Sequence, residues 1–266
     1  MRWVRLLMAW TIGTGVLAFV PAASAGPSCP SDAVLAGTVC IDTYEASVWK
    51  TTDARLIRFI RSGSVSLDDL IRGGAIQLGI AQGDLSAEGC SRSGTGCTDI
   101  YAVSIAGVTP ADRVSWFQAV AASRNSGKRL PTNAEWTAGA LGTPDGLPCR
   151  ISSAPGGPRI TGNPGCVSDV GAFDTVGNVW EWVAEWVPLS TACPGWVVDG
   201  QGVVSDDTNC LAGASPTFAP GALIRGGDWS VGTGAGALAV NGANNPLTTS
   251  AGEVGFRAVR PLGANP

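Results

Sequence analysis

Asp174–Trp182 reads DTVGNVWEW, and two further tryptophan-bearing stretches flank it: Lys128–Trp136, KRLPTNAEW, and Arg225–Trp229, RGGDW, with Gly255-Phe256-Arg257 downstream. In the central stretch carboxylates stand near both ends and Gly177 permits an unusual turn. Hard cations take several oxygens from side chains and from carbonyls that a bent backbone brings together. Asp174 and Glu181 could supply side-chain oxygens, and Gly177 and Val179 carbonyls. A solvated turn with Trp180 and Trp182 buried accounts for the same pattern. In Lys128–Trp136, Pro131 fixes the chain ahead of a helix and Thr132-Asn133-Ala134-Glu135 forms a capping box. Trp136 then anchors that helix in a core. Arg129 suits a structural ion pair or carbonyl contact, and Glu135 is a cap before it is a catalytic acid. In RGGDW two glycines let the backbone pass close to another strand. Val254, Phe256 and Val259 predict a final strand closing the sheet.

Outward from these stretches, long helical periodicity is scarce and glycine is abundant, at 37 residues. Cys40–Lys50 alternates partly and predicts one early strand. Leu56–Arg61 is either helical or extended. Ser66 and Asp69 predict a capped short helix through Leu70 and Ile71. The clearest helix starts near Ser115, with Trp116, Ala119, Val120 and Ser123 on one face and Gly127 as its stop. The Thr132 helix is expected to end near Gly142, before Pro144. Gly146–Gly165 and Cys193–Pro220 are turn-rich loops.

The N-terminus has the pattern of a secretory signal. Arg2 and Arg5 precede the apolar run Leu6–Val20, and Ala23-Ser24-Ala25 is a small-residue cleavage site. A retained anchor is the competing explanation of that run. The expected organisation is a signal peptide over residues 1–25 and a single domain over 26–266, secreted or periplasmic. Cleavage leaves 15 basic and 21 acidic side chains, so nucleic acid is not an expected partner. Membrane insertion is not expected once the signal is removed. Eight cysteines lie beyond the signal. Their even number and the oxidising destination favour disulfides over zinc. Pairing sequential neighbours predicts Cys29–Cys40, Cys90–Cys97, Cys149–Cys166 and Cys193–Cys210; a free pair kept for catalysis is the alternative. There is no histidine at all, which excludes Ser-His triads, histidine-ligated iron and histidine-based zinc hydrolysis.

Together with CIDTYEAS at Cys40–Ser47 and VSWFQAVAA at Val114–Ala122, the stretches in this order resemble the formylglycine-generating enzyme, or sulfatase-modifying factor, family over about Val39–Pro261. The resemblance implies an irregular, C-type-lectin-like α+β fold with little regular secondary structure. It implies a calcium site at Asp174, the carbonyls of Gly177 and Val179, and Glu181. The family's other calcium site begins near Cys149–Ser152, where this chain has Arg150, so that site is expected to be lost or rebuilt. Family enzymes oxidise a sulfatase cysteine to formylglycine with copper(I) held by two cysteines. Here those positions are Val231 and Gly236, and the preceding serine is Asp228. Copper(I) wants soft thiolates, so copper is not expected.

Two functions follow. The first is a non-catalytic, calcium-stabilised pseudoenzyme in which loops around Ser230–Ser250 bind a secreted protein or small ligand through Asp228, Trp229, Asn241, Asn244 and Asn245. The second is a divergent protein- or small-molecule-modifying enzyme using Asp228, Arg225 and Trp180 around the inherited cleft. Three or more ionisable groups converging beneath Trp229 would favour the enzyme, and a Gly/Asn surface poor in aromatic groups would favour binding.

Overall fold

A computed structural model of the protein describes residues 28–198, 202–218, 220–248 and 252–263, so the signal segment and Thr249–Ser250 of the candidate loop lie outside the described residues. The elements in chain order are β1 (Ala33–Ala36), β2 (Val39–Asp42), β3 (Ala46–Lys50), α1 (Ala54–Ser62), α2 (Leu67–Arg72), β4 (Ile76–Leu78), α3 (Asp84–Ala87), β5 (Ile100–Ser104), α4 (Trp116–Asn125) and α5 (Asn133–Ala140). They continue with β6 (Trp180–Val187), β7 (Trp196–Val198), β8 (Gly202–Ser205), β9 (Asn209–Cys210), β10 (Gly221–Arg225), a 3-10 turn at Gly232–Gly234, β11 (Val240–Asn244), β12 (Val254–Phe256) and β13 (Val259–Pro261).

The strands form sheets in the orders β12-β6-β10-β11-β9, β1-β2-β13 and β4-β3-β5, with β7-β8 as a separate hairpin. The central strand is β6. Its register sets Trp182 between Ile224 and Phe256, and Glu181 between Arg225 and Gly255. Successive strand side chains point to opposite faces. Trp180 and Trp182 therefore join the larger core with Ile224 and Phe256. Val183 shares the other core with Trp136, Leu223 and Val240. Glu181 falls on that second face, which is how an acid comes to be fully buried between two core tryptophans.

The capping signals hold. Ser66 and Asp69, Ser115 and Gln118, and Thr132 and Glu135 each cap reciprocally. Leu56–Arg61 is helical, started by Asp53, whose carboxylate accepts from the amides of Arg55 and Leu56. The buried face of α4 differs from the expected one. Gln118, Ala119, Ala121, Ala122 and Ser123 are buried, while Trp116 and Val120 are half-buried. Gln118 turns inward because its side chain closes the cap and donates to the Cys90 carbonyl at 2.8 Å.

Two expected strands are each divided. Cys40–Lys50 breaks at Thr43–Glu45, so β2 and β3 enter different sheets, because Tyr44 stacks on Phe173 at 5.0 Å and Glu45 turns fully inward. The final strand breaks at Arg257-Ala258, where a fully buried arginine separates β12 from β13.

All four disulfides join sequential neighbours, Cys29–Cys40, Cys90–Cys97, Cys149–Cys166 and Cys193–Cys210. The two longest span 17 residues. Loops of that size give about 3 kcal/mol each in the chain-entropy picture. Among the described residues no helix is long and apolar enough to cross a membrane.

Candidate functional site

The turn before β6 carries the metal candidates. Asp174 and Asn178 hold φ of +58° and +59°, and Gly177 holds +74°. Asp and Asn tolerate this left-handed region better than most side chains. At Gly177 a Cβ would meet the Arg150 carbonyl at 2.3 Å, so only glycine fits. The turn delivers Asp174 to the amides of Gly162 (2.7 Å) and Asn163 (3.3 Å), both donating to Oδ2.

Glu181 is engaged from two sides. Its Oε2 accepts from Trp136 Nε1 at 2.6 Å and from Arg257 Nε at 2.7 Å, while Oε1 accepts from Arg257 Nη2 at 2.7 Å. Arg257 also donates to the carbonyls of Asp42 and Phe173. Glu45 completes the nest: its Oε1 accepts from the Val179 amide at 3.1 Å and its Oε2 from Asn178 Nδ2. Glu45, Asp174 and Glu181 are at most 2% exposed, and Arg257 is the one cation that pairs with any of them among the described residues. Burial raises the Asp174 carboxyl to about 6, against the amide bonds that lower it. Glu45 is pushed well above the usual carboxylate range by burial and then by Asp174 and Glu181.

Sequence reasoning missed Glu45, Asn178 and the role of Arg257. The signals were present in CIDTYEAS and GFR, as an acid within an apolar strand and an arginine between two apolar strand residues. Where the family's second calcium site was expected to be lost or rebuilt, the Arg150 guanidinium is buried and donates to the carbonyls of Ser152, Ala154, Pro155 and Gly157. The loop folds around a side-chain cation.

The second region follows β10. Arg225 does not face the cleft. Its guanidinium lies over Trp136 at 4.8 Å and donates to the carbonyls of Ala237, Leu238 and Ala239, holding the loop before β11. Trp180 is a core residue, 5% exposed. Asp228 is buried, with Oδ1 accepting from the Ser230 amide and hydroxyl. Burial raises its carboxyl, opposed by the bonds from Ser230 and Trp180.

Trp229 is half-buried, its indole donating to the Gly252 carbonyl at 2.9 Å. Asn241 and Asn245 turn their side-chain oxygens onto the amides of Ala243 and Leu247. These are local Asx turns. Asn244 Nδ2 reaches the Asn241 carbonyl at 3.5 Å.

Beside Val231 opens a cavity of about 340 Å³ lined by Leu147, Ile151, Ser152, Ser153, Ser230, Gly232 and Thr233. Hydroxyls and aliphatic groups form this lining, and no ionisable side chain is among them. Val231 is half-buried. Gly236 is buried with the Asp207 carboxylate against its Cα, so that a Cβ there would fall 2.0 Å from Asp207 Oδ1.

Geometry and sequence together define a disulfide-stapled α+β domain whose RGG-x-W turn and GFR strand close over a buried carboxylate–guanidinium nest. The chain belongs to the sulfatase-modifying factor family, since the sulfatase-modifying factor enzyme 1-like domain matches residues 31–153 and 152–262. Formylglycine-generating enzymes of Thermomonospora curvata and Streptomyces coelicolor are 31% and 32% identical over 133 residues, 40% of this chain in both cases. The match spans less than half the length of either relative, 44% and 41%. Among solved structures the Major Tropism Determinant I1 Variant is 20% identical with a TM-score of 0.47, over 90% of this chain and 55% of that one.

Proposed function

We propose that this chain is an exported, calcium-stabilised recognition module of the sulfatase-modifying factor family, without formylglycine-generating oxidase activity. One observation carries the proposal. The two positions that would hold copper thiolates are Val231 and Gly236, and all eight cysteines are closed into disulfides, leaving no free thiol. Valine and glycine offer no donor to a soft cation. The neighbouring cavity supports binding rather than proton transfer, because its lining offers hydroxyls and apolar surface without an acid or a base. Its chemistry suits a small polar ligand or the side chain of a secreted protein, held by hydrogen bonds to Ser152, Ser153, Ser230 and Thr233.

Calcium suits the nest around Glu181. Glu45, Asp174 and Glu181 are buried with one paired guanidinium, and a divalent cation would hold the acids ionised against the burial that raises Glu45 and Asp174. Glu181 Oε1 accepts a single bond, so it keeps a lone pair for a metal. Asp174, Glu181 and the carbonyls of Gly177 and Val179 would hold the ion, which here serves structure rather than reaction.

The test is direct. Purified protein titrated with copper(I) against a chelating competitor is expected to show no thiolate charge-transfer band. Incubation with oxygen, copper(I) and a cysteine-containing sulfatase peptide is expected to yield no aldehyde. A stoichiometric thiolate band or oxygen-dependent aldehyde would refute the proposal.

A further inference from the structure

We propose that Asp145, Asp206 and Asp207 form a second calcium site, packed against Gly236 and separate from the nest around Glu181. One carboxylate oxygen from each of the three residues lies within 4.8 Å of the others. Such convergence on a surface is common without an ion. Asp207 is what distinguishes this case. It is 3% exposed; its Oδ2 accepts from the Leu238 amide at 2.7 Å, but its Oδ1 is buried and accepts no hydrogen bond among the described residues. A buried charged acceptor without a partner costs several times an ordinary hydrogen bond, and a cation at the cluster removes that cost.

The carboxylate is also held in place. Its own amide donates to Ser205 Oγ at 3.1 Å, the next amide, of Thr208, donates to the Gly234 carbonyl at 2.8 Å, and Gly236 closes the space behind it. Asp145 and Asp206 are exposed and belong to separate loops, one after α5 and one between β8 and β9. One rigid acid and two at the rim leave coordination positions open to water. None of the three forms an ion pair among the described residues.

Ligand chemistry selects the ion. The donors are all oxygen, which favours hard cations over zinc or copper. Calcium takes irregular sets of oxygens at about 2.3–2.6 Å, whereas magnesium demands a near-ideal octahedron at about 2.0–2.1 Å. Two rim carboxylates on separate loops suit calcium's irregular coordination. Few protein ligands and an open face place the affinity with extracellular calcium modules, at a Kd of about 10⁻⁴–10⁻³ M. The ion would tie the loop after α5 to the loops before β9 and β11.

The test uses the double variant Asp145→Asn/Asp206→Asn, whose two positions are exposed, with circular dichroism verifying the fold. Decalcified protein is dialysed to equilibrium against calcium chloride, and in parallel against magnesium chloride. The wild type is expected to bind one more calcium than the double variant, with magnesium at least tenfold weaker at that site. Equal calcium stoichiometry and Kd in the two proteins would overturn the proposal, as would equal affinity for magnesium. Asp174→Asn, run alongside, reports on the nest alone, so failure at either site is read separately from the other.

Discussion

Replacing Arg257 by lysine tests the nest most directly, because it keeps the charge and removes the fork. The native guanidinium makes three charge-assisted contacts that matter here beyond one carboxylate bond: a second bond to Glu181 and one each to the carbonyls of Asp42 and Phe173. Lysine in the same space can satisfy one or two of the four acceptors. Each lost bond leaves a buried oxygen short of a donor, at about 1–3 kcal/mol apiece, partly offset where lysine still reaches. The expected cost is about 3–4 kcal/mol, in line with the about 3–5 kcal/mol for breaking a buried ion pair outright. For a domain of this size that lowers the melting temperature by about 6–16 °C. Urea unfolding with disulfides intact measures it. A double-mutant cycle with Glu181→Gln isolates the pair, and the coupling is expected to exceed about 2 kcal/mol. A cost under about 1 kcal/mol, or a coupling near zero, would show that the nest is not held by this pair.

Two further outcomes follow from the same geometry. Chelation by EDTA is expected to lower the melting temperature by about 5–10 °C from a calcium concentration 100-fold above Kd, since such binding is worth about 2.7 kcal/mol. The fall should shrink in Asp174→Asn, and an unchanged fall would remove calcium from the nest. The Glu135 carboxyl is lowered from 4.5 to about 2, chiefly by its bond to Arg129 and also by the Thr132 amide. A depressed acid stabilises the fold above its unfolded value, and the gain is lost as pH falls from about 4.5 through about 2. Arg129 is 48% exposed, so screening leaves about 1 kcal/mol of this. Glu135→Gln should flatten acid unfolding in that window by about that amount; an unaltered acid limb would contradict the pairing.

The parts of this fold legible in the sequence are those whose causes are local. A capping box lies within four residues, so Ser66, Ser115 and Thr132 announce their helices. The disulfides were legible because each closes a short segment, the longest spanning 17 residues. Strand breaks were not, because the causes are distant. Glu45 interrupts an apolar run to meet Asn178 and Val179, 133 and 134 residues away. Arg257 divides the last strand to meet Glu181, 76 residues upstream. The acid triplet is equally opaque: Asp206 and Asp207 sit in an ordinary turn, and only the tertiary fold brings Asp145 to them. Arg225 opens the RGGDW stretch, yet alternation along β10 turns it to the core with Trp136, a placement that depends on strand register rather than on its sequence neighbours.

The same separation of causes explains how a family fold can persist here without the family's thiolates. The bonds that close the molecule run between Arg257, Glu181, Trp136, Asp42 and Phe173. Neither Val231 nor Gly236 takes part in them. Arg225 binds the 237–239 carbonyls, so the loop bearing position 236 is anchored from its far side whatever stands at that position. Glycine there does have one structural consequence, since the Asp207 carboxylate occupies the space that any side chain would need. Returning a cysteine to position 236 would therefore require the Asp207 carboxylate to move from its place against the Cα. At the position where the resemblance places a sulfur ligand, the Asp207 carboxylate packs against a bare Cα, so the nearest side-chain donor there is oxygen rather than sulfur.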